Sequence, residues 1–402
     1  MNRFLPTVTL LACLGLAGCA QGQPEAGSSS SATTPDPSAG ASATQAVSPG
    51  PSASPGQQTC LAMAQSLTQE QQIGQLLMAG TTDAEPGDAL KEAVTQSKVG
   101  SVIYLGTEPR SLQDTAWASS QIQSWATAKL PVLLATDQEG GQVQRLQGAG
   151  FAEIPSATKQ GKLTDAQLRK QWKTWGKQLL AAGVRYDLAP VADVVPPGTD
   201  ASNAGVGALD RNYGTDDATV AAKSTAVVQG LSDAGIASSL KHFPGLGRAA
   251  VNTDFGAATD DQTTLDMVDS FTGPMQAGAS SVMISSTIYT KIDPGVHAVF
   301  SSKIINDGLR QKLGWQKVVV SDDLGAAAAV KEVPVGERGA RFIAAGGDLV
   351  INADASSIKD MADGIRAKAA QDKAFADQLD DHAARVLALK AEVGLVKCTP
   401  EA

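Results

Sequence analysis

A single (β/α)8 barrel, an α/β fold of the TIM type, is the architecture this sequence predicts. Three observations predict it. Short, near-continuous apolar runs recur eight times between residues 75 and 352. Amphipathic stretches separate them, so each strand is followed by a covering helix. Several runs also stop abruptly at charged side chains, as strands do when their C-terminal ends share one mouth. Strands that are apolar on both faces need cover on both faces, which a parallel sheet wrapped in helices supplies.

The runs span 75–79, 101–105, 132–136, 184–189, 236–240, 281–285, 317–321 and 348–352. Between them, 216–233 and 301–313 repeat apolar residues at helical spacing, and 356–395 carries pattern enough for two closing helices. A doubly wound open sheet is the competing architecture. It has fewer strands and, for a nucleotide ligand, a Gly-rich phosphate loop. Gly140-Gly141 follows the third run but lacks that spacing.

Apolar residues make up 43% of the 402 and charged residues 18%, which supports a large buried core. Net charge is −9 and no Lys/Arg cluster occurs, which excludes nucleic acid as a partner. Residues 1–18 read as a targeting segment: Met1-Asn2-Arg3 supplies positive charge and 4–16 the apolar stretch. Leu16-Ala17-Gly18-Cys19 resembles the bacterial lipobox, which implies lipidation of Cys19. The alternative is an ordinary signal peptide with an incidental cysteine. The lipobox reading places the protein on the outer face of the cytoplasmic membrane, touching the bilayer through its anchor only. Residues 19–58, rich in Ser, Ala, Pro and Gly, read as a disordered linker, and 59–398 as the folded body. Two cysteines remain there, Cys60 and Cys398. In an exported chain they suggest a disulfide joining the termini, with two free thiols as the alternative.

Four runs are loaded with polar groups at their ends. The third leads into Asp137-Gln138-Glu139-Gly140-Gly141-Gln142-Val143-Gln144-Arg145. The fourth is followed by Pro190 and Asp193, the fifth by Lys241-His242, the seventh by Asp322-Asp323. Any one of these reads as a structural ion pair, and His242 as a packed histidine. Four together point to a pocket that grips a polar substrate, because burying such groups without purpose is costly.

These residues carry a resemblance. Asp137-Gln138-Glu139-Gly140-Gly141-x-Val143-x-Arg145, Lys241-His242-Phe243-Pro244-Gly245 and Ser321-Asp322-Asp323-Leu324 look like the signature segments of glycoside hydrolase family 3. The closest likeness is to its bacterial β-N-acetylglucosaminidase branch. Ile73-Gly74-Gln75-Leu76, Leu188-Ala189-Pro190-Val191-Ala192-Asp193 and Arg211-Asn212-Tyr213-Gly214 extend it over about 65–395. The resemblance implies one barrel without a sandwich domain, and Asp322 as the catalytic nucleophile. It also implies that Asp137, Arg145, Arg211, Lys241 and His242 hold the sugar. Asp323, alternating to the other face, is expected to make a structural contact.

The pattern breaks at the acid/base. The branch usually reads Lys-His-Phe-Pro-Gly-His-Gly and then Asp-Ser-His, whose histidine moves the proton. Here Leu246 replaces the first of those later histidines, and the triplet is Asn252-Thr253-Asp254. Only His242, His297 and His382 exist, and neither of the last two is an obvious substitute. Either Asp254 is the proton donor, or the protein is a weak or inactive binder of cell-wall sugars. The family implies removal of terminal β-linked N-acetylglucosamine, from peptidoglycan fragments by location, with β-glucosides as the alternative. Neither metal nor cofactor is expected, and the protein is expected to be a monomer. Gly245, Gly247 and Ala249-Ala250 suggest a mobile loop that closes over substrate, or else a plain surface loop.

Overall fold

The alternation of apolar run and amphipathic stretch builds a closed parallel barrel in the computed structural model, which describes residues 55–82 and 85–398. Its eight strands are β1 Leu77–Thr81, β2 Ser101–Tyr104, β3 Leu133–Thr136, β4 Tyr186–Asp187, β5 Ala237–Phe243, β6 Ser281–Ile284, β7 Val318–Asp323 and β8 Leu349–Asn352. Each pairs in parallel with its chain neighbours, and β1 closes the ring on β8 through Leu77 opposite Val350. Nearly every strand side chain is buried, as the unbroken apolar runs require.

Strand limits differ from expectation where a neighbour competes for the backbone. The first strand is 77–81 rather than 75–79, because Gln75 ends helix Gln69–Gln75. That helix opens on a capping box in which Thr68 and Gln71 exchange hydrogen bonds. The fourth strand shrinks to Tyr186–Asp187, with Pro190, which has no N–H for the ladder, following closely. The fifth and seventh strands are longer than expected. They run on through Lys241-His242-Phe243 and Asp322-Asp323, so the charged residues are part of the strands themselves.

The helices cover the barrel as expected, with details that packing decides. Helix Asp165–Ala181 lies against helix Asp217–Ala234 so closely that a Cβ on Gly230 would sit 2.6 Å from Trp172 Cβ. Stretch 303–312 is wound wider than an α-helix, with Leu313 N–H bonding to Gly308 O. The closing segment contains helices Ile358–Gln371 and Leu379–Glu392 with a single turn, Lys373–Ala376, between them. Helix Pro55–Gln65 starts inside the stretch expected to be linker and packs on Leu379–Glu392, where Cys60 and Cys398 form a disulfide. The targeting segment, Cys19 and the linker as far as residue 54 lie outside the described residues.

Candidate active site

The site begins with Lys241, whose side chain is only 2% exposed inside β5. A buried ammonium needs opposite charge. Two carboxylates supply it: Asp137 Oδ1 at 2.5 Å and Glu139 Oε1 at 2.6 Å. Both come from the segment after β3, where Gln138–Gly140 pairs antiparallel with Val143–Gln144. Gly140 ends the first arm opposite Val143 and Gly141 opens the turn, at φ +99° and +58°. A Cβ on Gly140 would also fall 2.4 Å from Pro155 O, so only glycine lets the hairpin seat.

Glu139 is held from the far side by Arg211. Its oxygens accept a bidentate pair from Arg211 Nε at 2.8 Å and Nη2 at 2.7 Å, while Nη1 donates to Gly205 O. Burial by itself would raise the Glu139 pKa, but the charges of Arg211 and Lys241 outweigh it and hold the carboxyl well below the usual range. Lys241, by contrast, is raised: burial would lower it, but Asp137 and Glu139 overcome that. Two anions and two cations therefore form a balanced ionic floor.

His242, joined to Lys241 by a cis peptide, is oriented by Asp193 from the loop after β4. The imidazole Nδ1 lies 2.7 Å from Asp193 Oδ2, and Asp193 Oδ1 accepts the His242 and Leu246 backbone N–H groups. A carboxylate only accepts, so Nδ1 carries a hydrogen toward Asp193, and Nε2 lies 3.4 Å from Arg211 Nη2.

At the end of β7 the register shifts between Val320 and Asp323, a bulge that turns the two adjacent carboxylates apart. Asp323 accepts four backbone N–H groups, from Gly325, Ala326, Ala327 and Ala353, at 2.8–2.9 Å. It is the structural contact anticipated for it. Asp322, whose Oδ1 accepts the Asp323 N–H at 2.9 Å, lines the cavity without such a set of backbone donors. Burial pushes its carboxyl up to about 6; the Asp254 charge adds to the rise and His242 opposes it.

Asp254 sits on the loop that follows β5. Contrary to the expected looseness, this loop is pinned along its length. Leu246 and Ala249 are buried with Val191, Val195, Val206 and Ala258 in a small satellite core. Asn203 Nδ2 donates to Leu246 O and Ala249 O, and Tyr289 O–H donates to Gly245 O. Further on, Ala328 N–H bonds to Asp254 O and Ala329 N–H to Thr253 O. Apolar burial thus explains leucine at 246, while Ala250, Val251, Asp254, Phe255 and Ala257 are exposed. Phe255 is 84% exposed.

Asp137, Arg145, Arg211, Lys241, His242, Asp254 and Asp322 all line one cavity of about 490 Å³ at the strand C-termini, a volume suited to a small ligand. Arg145 Nε is buried without a hydrogen-bond partner among the described residues, a donor still available. The other histidines lie elsewhere. His297 bonds to Ser286 O, and His382 joins Arg310 and Arg385 around the buried Asp348 where β8 begins.

Sequence reasoning assigned no role to Glu139, Asp187 or Phe255. Glu139 had a signal, since it stands two residues from Asp137 and so on the same side of an extended segment. Asp187 ends β4 fully buried, accepting the Gln138 N–H at 3.0 Å, and burial pushes its carboxyl up to about 8. Phe255 gave no signal beyond being aromatic.

A barrel whose mouth sets carboxylates above an ionic, donor-rich floor is built to hold a hydroxyl-bearing substrate for attack, the design of a barrel glycosidase. Residues 68–389 match the family described as the glycosyl hydrolase family 3 N terminal domain. The chain is 31% identical to a β-hexosaminidase of Xanthomonas oryzae pv. oryzae over 293 residues, 69% of this chain and 83% of that one. Its fold is similar to the crystal structure of a β-N-acetylhexosaminidase from Beutenbergia cavernae, with TM-score 0.79, 41% identity and coverage of 81% and 99% of the two chains. A family 3 β-N-acetylglucosaminidase from a Paenibacillus species gives TM-score 0.73 at 28% identity, covering 82% of this chain and 63% of that one. The chain belongs to glycosyl hydrolase family 3 and is a glycosidase that hydrolyses O-glycosyl bonds.

Proposed function

We propose that this glycosidase removes terminal β-linked N-acetylhexosamine, N-acetylglucosamine above all, by a two-step retaining mechanism. What carries the reading is one juxtaposition: Asp322 and Asp254 line the same cavity at the strand C-termini. The β-hexosaminidase and β-N-acetylglucosaminidase relatives support the choice of sugar.

In the first step a carboxylate oxygen of Asp322 attacks the anomeric carbon. The bond to the leaving oxygen breaks, and that oxygen takes the Asp254 proton. In the second, water attacks the same carbon, gives its proton to Asp254, and frees Asp322. Asp137, Lys241, Arg211 and Arg145 hold the sugar hydroxyls by charge-assisted hydrogen bonds, with His242 at the edge nearest Asp322. Lipidation at Cys19 would tether the monomer outside the membrane, where peptidoglycan fragments supply the substrate.

A slow-turnover fluorosugar followed by peptide mapping tests the central step. The adduct is expected on the peptide containing Asp322. Asp254→Ala should slow disaccharide cleavage by roughly 10²–10⁴-fold and an activated aryl glycoside far less, since a good leaving group needs no proton. A label on another residue, or disaccharide cleavage unaffected by Asp254→Ala, refutes the assignment.

A further inference from the structure

We propose that Phe255 is the platform for the leaving group, stacking against the ring released when the glycosidic bond breaks. The proposal rests on the reading of Asp254 as proton donor, which fixes where the scissile oxygen lies. A donor must reach that oxygen directly. The ionic floor of Asp137, Lys241, Glu139 and Arg211 holds the sugar on one side of it. Whatever lies past Asp254, away from that floor, therefore faces the leaving group. Phe255 is the next residue, its Cα about 3.8 Å along the chain, and it lines the same cavity.

Two further features make Phe255 more than an exposed side chain. It is 84% exposed, the most exposed of the large apolar residues described, and it lines the cavity that holds Asp254 and Asp322. The backbone beneath it is also fixed. Phe255 N–H and Gly256 N–H both bond to Asn252 O, Asp254 O accepts Ala328 N–H, and buried Ala258 leads into the strand pair Thr259–Asp260 and Ile288–Tyr289. The ring is thus exposed where the cavity opens, on a loop that is anchored on both sides. The apolar C–H face of a pyranose, or an aryl ring, fits such a surface. The leaving group selected is accordingly ring-bearing: a second sugar or an aromatic aglycone.

The test compares kcat/KM, which reports the bond-breaking step, for three N-acetyl-β-glucosaminides: a disaccharide, an aryl glycoside and a trifluoroethyl glycoside. The last has an activated leaving group without a ring. Phe255→Ala is expected to lower the ratio of ring-bearing to ringless kcat/KM by roughly 3- to 10-fold, and Phe255→Trp to restore it. Equal effects of Phe255→Ala on all three substrates overturn the platform while leaving the glycosidase reading intact. Failure of the wild-type protein to cleave any of the three overturns both, and is seen before any variant is measured.

Discussion

His242 Nδ1 lies 2.7 Å from Asp193 Oδ2, while the same carboxylate takes two backbone N–H groups of the β5 exit, from His242 and Leu246. One buried side chain thus sets both the course of the chain and the hydrogen pattern of the ring beside Asp322. Asp193→Ala should strand two backbone donors and cost about 3–5 kcal/mol in stability. Asp193→Asn keeps one acceptor oxygen but presents an N–H₂ to the imidazole, which reverses the tautomer. Chemical denaturation should show the asparagine variant folded, with kcat/KM lowered roughly 10- to 100-fold by misplacement of the ring. Wild-type kinetics in that variant would show the orientation to be irrelevant.

Activity should fall on the acid side with a midpoint near pH 6, where Asp322 takes up its proton and ceases to be a nucleophile. Because the Asp254 charge raises this value, Asp254→Asn should move the acid limb of an aryl glycoside's kcat/KM to lower pH. A limb that stays in place or moves up contradicts the coupling.

The same shift has a consequence for stability. Asp322 is raised above its ordinary 3.8, so between about pH 4 and 6 the folded chain binds more protons than the unfolded one. Its contribution therefore becomes less favourable as pH rises through that window, and the ionised form is a net cost at neutral pH. Asp322→Asn should stabilise the inactive protein by on the order of 1–2 kcal/mol at pH 7 and by little at pH 4. Paired thermal melts at the two pH values measure it.

Removing Lys241 should cost both fold and function. Asp137 and Glu139 would face each other with only Arg211 left to neutralise them. Lys241→Met is expected to lose about 3–5 kcal/mol in urea denaturation, as a broken buried ion pair does. It should also lose substrate affinity, read as a weaker competitive inhibition by free N-acetylglucosamine.

The disulfide should matter to stability alone. Cys60 and Cys398 close a loop with sequence separation 338 and lie outside the cavity. Replacing both by serine should lower stability by about 2–4 kcal/mol and leave kcat/KM for an aryl glycoside within 2-fold. A kinetic defect of the same variant at a temperature where it is folded would contradict this separation.

The barrel was legible because its signal is local. Eight apolar runs in order, each with a helical stretch after it, force parallel strands, and a parallel ring is the way to cover all of them. Site positions were legible for a related reason: in a barrel, a charged residue at a strand's C-terminal end has one place to go. Asp137, Lys241, His242 and Asp322 follow that rule. Strand limits were less legible, since the pull of charge against burial misplaced the ends of β5 and β7, where Lys241 and Asp322 remain inside the ladder.

The sequence by itself determined the fold, the mouth and the set of ionisable groups that meet there. Only the tertiary structure decided how those groups divide their work. Glu139 became a strut because Arg211, 72 positions away, reaches it. Asp323 was expected to make a structural contact, but its four backbone donors, Ala353 after β8 among them, are set only by the closed barrel. The glycine-rich loop became anchored because Val191, Val195 and Val206, distant in the chain, bury Leu246. Spacing encodes periodic structure, but ion-pair partners and packing neighbours are set by distances that exist only after the chain has closed on itself.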